Sequence, residues 1–132
     1  MNDRMTKKDT NLIKGALRRV FARSELHGRI IDRCKVKHHD PKRPKVQTWC
    51  RCEKCGKFEA KSYMDVDHIK PLVAIYEVAS DLSIEQLIAR LWCEESNLQL
   101  LCPDCHDEKT QTENKARREH KKRLRCQTNN IS

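Results

Sequence analysis

The 132-residue sequence predicts a mixed α+β fold in which a basic helical arm precedes a compact domain of short strands and helices. Three patterns support this prediction. Apolar residues recur with a 3.6-residue period in the arm and again near residues 84–91, short alternating apolar runs occupy the centre, and two Cys-x-x-Cys motifs bracket that centre. We assign residues 1–47 to the arm and a linker, 48–120 to the domain, and 121–132 to a basic, polar tail.

The arm is predicted to contain an amphipathic basic helix. Residues 1–9 are polar and are expected to fray, whereas from Thr10 the apolar residues fall on one helical stripe with most basic residues off it. Ser24 or Glu25 is expected to begin a second helical segment. Residues 35–47 contain two prolines and show no periodicity, so they predict a basic linker or loop.

In the centre, residues 48–51 predict a short strand, and residues 57–61 predict a strand or loop. Residues 63–69 predict a further strand whose alternation places Asp67 and His68 on opposite faces. A capping box, Ser83 with Gln86, opens a short helix. The last elements are a strand over residues 98–101 and a helix that begins at Pro103 or Asp104 and runs through Arg118 before the polar tail.

The two Cys-x-x-Cys motifs are typical of a structural zinc site. They comprise Cys52, Cys55, Cys102 and Cys105. Each motif holds two sulfurs at the separation that Zn–S bonds of about 2.3 Å require. Cys50 is an alternative ligand, but the two-residue spacer followed by Gly56 favours Cys52, because glycine tolerates the positive φ of the turn. Two disulfides or four unrelated buried cysteines are the other interpretations. The lack of an export signal and the presence of a motif at each end of the centre argue against them.

A zinc ion would also compensate for a small core. Charged residues make up 36% of the chain, so little apolar material is available for burial. A structural zinc contributes on the order of 10 kcal/mol or more to apparent folding free energy. No apolar run approaches the ~20 residues of a membrane span, and no apolar segment follows the N-terminal residues. These features predict a cytoplasmic protein without a membrane partner.

The charge is unevenly distributed along the chain. Residues 1–51 hold 15 Lys/Arg and 5 Asp/Glu, residues 52–106 hold 5 and 10, and residues 107–132 hold 8 and 4. Basic flanks attract a phosphate backbone through neutralisation and counterion release. An acidic centre would hinder DNA unless its carboxylates hold cations. The whole pattern therefore favours a nucleic-acid partner, although any single basic run, taken alone, favours a solvated helix face.

Three segments resemble a known family when read together. Asp67-His68-Ile69, Asn97-Leu-Gln-Leu-Leu and Cys102-x-x-Cys105-His106 followed by Lys109-Thr110 resemble the HNH endonucleases, particularly small zinc-containing members from bacteriophages and bacteria. The resemblance covers about residues 49–115. It implies a ββα-metal core, in which two strands and a helix hold one divalent catalytic metal while the cysteines hold a separate structural zinc.

The resemblance also implies roles for individual residues. His68 matches the general base that activates water, and Asn97 matches the residue that holds the loop and orients that base. Asp67 and His106 match the ligands of the catalytic metal, which would be Mg²⁺, Mn²⁺ or another divalent transition metal. The expected activity is hydrolysis of DNA phosphodiester bonds. A bacteriophage origin would place it in the cytoplasm of a bacterial host.

Candidate DNA contacts lie on two helices. Arg18 and Arg19 are on the arm. Lys109 and Arg117 project from the helix that carries His106, and for these two residues simple solvent exposure is an equally good interpretation. A phage or host protein partner is left open. The main alternative to an enzyme is a non-catalytic, zinc-stabilised nucleic-acid-binding module, and a second is a zinc-built protein-interaction module, against which the basic arm argues.

Overall fold

A computed structural model describes residues 4–129 of the chain, and it confirms the mixed α+β class. In chain order the helices and strands are α1 (Lys7–Phe21), α2 (Glu25–Cys34), β1 (Lys35–Val36), β2 (Trp49–Arg51), β3 (Phe58–Ala60), β4 (Asp65–His68), α3 (Ile84–Leu91), β5 (Leu98–Leu101) and α4 (Pro103–Asn129). Within these residues, none of the helices combines the length and the apolar character needed to cross a membrane.

The strands form two small antiparallel sheets. One has the order β1-β2-β3, and the other pairs β4 with β5. In the second sheet Asp67 lies opposite Gln99 and His68 opposite Leu98. Cys102 is the single residue between β5 and α4. The β4–β5 pair and the first turn of α4 therefore bring the predicted site residues into one region.

Helix α1 begins earlier than the sequence pattern predicted. Thr6 is the N-cap, its side chain accepts a hydrogen bond from the Asp9 backbone N–H at 3.1 Å, and the Asp9 carboxylate accepts one from the Thr6 N–H at 3.0 Å. The expectation that residues 7–9 fray is therefore wrong. A capping box normally places Glu or Gln at the third helical position, and here the shorter Asp9 completes it.

Helix α2 begins at Glu25 after the N-cap Ser24, in agreement with the prediction that Ser24 or Glu25 begins a helix. The prediction of a linker over residues 35–47 is wrong for its first two residues. Lys35 and Val36 form β1, in which Lys35 pairs with Cys50. A two-residue strand is too short to show a periodic pattern. Further along, the Arg43 guanidinium lies 2.7 Å from the Glu59 carboxylate, which ties the linker to β3.

The arm and the domain share one hydrophobic core. Phe21, Leu26 and Ile30 of the arm are buried in the same cluster as residues of α3 and β5. Helix α1 packs against α3, and α2 packs against β5. Only part of the apolar stripe of α1 is used for packing, because Leu12 is 61% exposed. The basic residue Lys14 of the same helix is instead buried, with 6% of its surface exposed.

Helix α4 continues well past Arg118, through residues that were predicted to be a polar tail. Residues 104–129 contain neither proline nor glycine, so no residue in this stretch interrupts the helix. The 27 residues correspond to a rod of about 40 Å at 1.5 Å per residue.

The loop between β4 and α3 is anchored by an ion pair. The Glu77 carboxylate accepts hydrogen bonds of 2.6 and 2.8 Å from the Arg90 guanidinium, which also donates to the Leu72 carbonyl. The Arg90 hydrogen bonds, and then one from the Ala74 N–H, lower the pKa of Glu77 to about 2. The loop is thus held against α3 by a carboxylate that must be ionised.

This pair predicts an acid-sensitive contribution to stability. Because the folded pKa of Glu77 lies below its ordinary value of 4.5, the stabilisation is present above that value and is lost as the pH falls towards 2. We expect wild-type protein to be more stable than Glu77→Gln at pH 6, and the difference to narrow progressively below pH ~4.5. Urea unfolding of both proteins from pH 6 to pH 3 measures this; a constant difference would contradict it.

Candidate metal centre and candidate active site

Four cysteines converge where the first sheet meets the start of α4. The sulfur atoms of Cys52, Cys55, Cys102 and Cys105 all lie within 4.8 Å of one another. Gly56 has a φ of 78°, and its N–H donates to the Cys52 carbonyl at 2.9 Å, which closes the turn of the first motif. Cys50 is buried in β2 and is not part of the group. The four-cysteine cluster can therefore hold a metal ion such as zinc.

The electrostatics of the cluster suit a cation. Burial raises the pKa of the Cys52 thiol, but hydrogen bonds from backbone N–H groups, that of Cys55 foremost, bring it down to about 6. Burial, followed by the neighbouring thiols, raises the pKa of Cys105 to about 12. Adjacent sulfurs resist joint ionisation unless a positive charge lies between them, and thiolate is the form that zinc binds.

Glu53 links this cluster to the rest of the fold. Its carboxylate accepts hydrogen bonds from the Leu100 N–H at 3.0 Å and from the Arg33 guanidinium at 2.8 Å. Arg33 also donates to the Leu98 carbonyl at 2.8 Å. Helix α2, the first cysteine motif and β5 are thereby tied together, a role for which the sequence carried no signal.

His68 ends β4 and is buried, with 8% of its surface exposed. Its Nε2 lies 3.0 Å from the Leu91 carbonyl, and the Phe21 ring lies 5.2 Å away. A carbonyl oxygen only accepts hydrogen bonds, so Nε2 must carry the proton. In the neutral ring Nδ1 is then unprotonated and able to accept a proton.

Asn97 ties down the turn that follows His68. Its backbone carbonyl accepts from the Ile69 N–H at 2.8 Å, and its side-chain Oδ1 accepts from the Lys70 N–H at 3.0 Å. Its Nδ2 lies 3.7 Å from the Cys93 sulfur. Asn97 therefore holds the two residues directly after the histidine, Ile69 through its backbone carbonyl and Lys70 through its side chain.

Replacing Asn97 by Ala is expected to destabilise the protein by about 1 kcal/mol, because the Lys70 N–H loses its acceptor. Asn97→Asp keeps an acceptor at that position and is the matched control. Urea unfolding of both variants measures the difference. Equal losses would instead assign the effect to the Nδ2 contact with Cys93.

Asp67 lies on the face of β4 opposite His68, as the alternation predicted. Its carboxylate is 3.2 Å from the Lys109 ammonium and accepts from the Gln99 amide at 3.1 Å. Lys109 also donates to the His68 carbonyl at 3.1 Å and pairs with Glu113. Lys109, expected to contact phosphate, is therefore surrounded by oxygen atoms of the protein itself.

His106 lies in the first turn of α4, and the carboxylate near it belongs to Asp65. The Nδ1–Oδ2 distance is 3.8 Å. Among residues 4–129, the cysteines are the one set of three or more metal-binding side chains that lies close together, so Asp67 and His106 are not part of such a set. Asp65 was missed, although its spacing of two from Asp67 places both on one strand face.

The remaining predicted contacts differ in their exposure. Arg18 and Arg19 are exposed on α1. The Arg117 guanidinium instead donates to the Val73 carbonyl at 2.9 Å and lies 3.9 Å from Glu113. Arg117 thus joins α4 to the loop before α3, while the two arm residues stay available to a partner.

Comparisons of the chain with models of known protein families, with curated proteins and with solved structures find no significant match. The fold and the cysteine cluster together define an α+β protein with a four-cysteine centre that can hold a metal ion such as zinc.

Proposed function

We propose that this chain is a metal-dependent DNA endonuclease of the HNH type that hydrolyses phosphodiester bonds. The observation that carries the proposal is the setting of His68. The Leu91 carbonyl requires the proton on Nε2 and leaves Nδ1 free, and Asn97 ties down the turn immediately afterwards. A neutral imidazole held in one tautomer is what a general base needs near neutral pH.

The order of elements supports the same proposal. Strand β5, which pairs with β4, leads through one residue into α4, with Asp67 and His68 on β4 and His106 in the first turn of the helix. A ββα-metal core, which the sequence resemblance implies, would require two strands and a helix in this order, and the observed order therefore supports the proposal. The cysteine cluster would join the start of α4 to the first sheet and keep the helix in place.

The donor atoms suit a hard or intermediate divalent cation. Asp67 and His106 would hold Mg²⁺, Mn²⁺ or a related ion, and Asp65, near His106, adds a further carboxylate. When bound, such an ion supplies Lewis-acid stabilisation of the phosphate and the leaving oxygen. His68 would accept the proton of the attacking water at Nδ1, and Asn97 would keep the loop and the imidazole in position.

A non-catalytic, zinc-stabilised nucleic-acid-binding module is the second candidate. Two observations favour it: the Lys109 ammonium neutralises Asp67, and Phe21 lies against the buried His68. In such a protein these residues would be structural, and the exposed arginines of α1 would supply the affinity.

The two candidates are separated by incubating purified protein with supercoiled plasmid and with Mg²⁺, Mn²⁺ or no added divalent ion. The nuclease is expected to convert plasmid to nicked or linear DNA only with added metal. Salt-sensitive gel retardation without conversion under any condition would instead support the binding module.

A further inference from the structure

The distal part of α4, residues 115–129, is a strongly basic helix. It contains seven Lys/Arg and a single acidic residue, Glu119. Every side chain from 121 to 128 is exposed. Beyond Arg117, which donates to Val73, no hydrogen bond or ion pair connects the described side chains of this segment to the rest of the protein. This half of α4 therefore extends from the domain as an uncovered rod.

The basic residues are concentrated on one side of this rod. Arg118, Lys121, Lys122 and Arg125 fall within about 100° of the helix circumference at 3.6 residues per turn. None of the four forms an ion pair or hydrogen bond through its side chain with any residue between 4 and 129. We call these four residues the α4 basic stripe.

The α4 basic stripe lowers the stability of an isolated helix. Arg118 with Lys122 and Lys121 with Arg125 are like-charge pairs four residues apart, which destabilise a helix in water. Leu124 is the one large hydrophobic residue of the segment and is 48% exposed, so no apolar face is present for a protein partner. A polyanion would relieve the repulsion and match the charge.

We propose that the α4 basic stripe binds the phosphate backbone of double-stranded DNA; this inference rests on the proposed function and specifies its substrate as a duplex. The helix offers charges at fixed spacing to a regular backbone. Binding of single strands relies on aromatic side chains that stack on bases, and residues 103–129 contain no Phe, Tyr or Trp.

The same helix connects the stripe to the candidate active site. Arg125 follows His106 by 19 residues, which is about 28 Å along the helix axis. That distance corresponds to about 8 base pairs at 3.4 Å each, and so limits how far from the cut the stripe can contact DNA.

The test measures binding by fluorescence anisotropy of full-length protein, without added divalent ions, on a labelled 30-base-pair duplex and on one of its strands. The test variant is Lys121→Gln/Lys122→Gln/Arg125→Gln. The control, Lys37→Gln/Lys42→Gln/Lys45→Gln, removes the same charge from the exposed linker. Glutamine retains helix propensity, and circular dichroism checks that both variants remain folded.

We expect the duplex to bind more tightly than the single strand. With the test variant, the slope of log K against log salt should become shallower by about 2.7, or ~0.9 per lost phosphate contact, and the control should change it far less. Equal slopes for the two variants, equal affinity for duplex and single strand, or no DNA binding would each overturn the inference.

Plasmid cleavage by wild-type protein distinguishes this failure from failure of the proposed function. If wild-type protein cleaves plasmid but the salt slope of the test variant is unchanged, the stripe has no role in binding and the nuclease proposal stands. If the salt slope changes but wild-type protein does not cleave plasmid, the role of the stripe is supported and the nuclease proposal fails.

Discussion

Replacing Cys52 or Cys105 by Ser is expected to abolish zinc binding and to unfold the domain. Each cysteine supplies one of four sulfurs that lie within 4.8 Å of one another. A structural zinc contributes on the order of 10 kcal/mol or more, as much as the whole stability of an ordinary domain. Zinc content by atomic absorption and folding by circular dichroism measure both losses in each variant.

Two further variants serve as controls for this prediction. Cys126→Ser alters an exposed thiol of α4 and should leave zinc content and folding unchanged. Cys50→Ser buries a hydroxyl in β2, which should cost about 1–3 kcal/mol while zinc is retained. Loss of zinc in Cys50→Ser, with retention in Cys52→Ser, would exchange the roles of these two cysteines.

His68→Ala is expected to retain zinc and fold but to lose cleavage by about 10²–10⁴-fold, the usual contribution of a general base. The substitution removes a ring that contacts Phe21 and the Leu91 carbonyl, which should lower stability by only a few kcal/mol. Plasmid conversion with Mg²⁺ or Mn²⁺, normalised to zinc content, measures the loss.

The matched control for His68 is His39→Ala, which removes an exposed imidazole and should cleave at the wild-type rate. His68→Asn preserves more of the buried volume and guards against a loss that reflects unfolding alone. If folded His68→Asn cleaves like wild type, His68 is not the base and the assignment of the site fails.

Much of the fold followed from local patterns in the sequence. Helix α1, a second helix beginning at Ser24 or Glu25, and the Ser83–Gln86 capping box were predicted, and the structure confirms these three features. These features depend on spacings of three or four residues, which are visible in a linear sequence. The two-residue strand β1 and the distal half of α4 were missed, since the first has no period and the second has no apolar stripe.

The candidate site was predictable in composition and less so in its contacts. The pairing of Lys109 with Asp67 joins residues 42 positions apart, and Asp65, near His106, is 41 positions from it. The Phe21 ring of the arm packs against His68, although the sequence pattern assigned the arm and the domain to separate segments. Such neighbours depend on how α1 and α4 pack against β4.

The sequence by itself determined the chemical set: four cysteines in two chelating pairs, an Asp-His pair at a strand end, and basic flanks around an acidic centre. Only the tertiary structure decided which charges are already neutralised and which are free. Lys109 and Arg117 are bound to the protein, while the α4 basic stripe is not. The physical reason is that spacing along the chain fixes local geometry, whereas pairing between distant charges depends on the packing of whole elements.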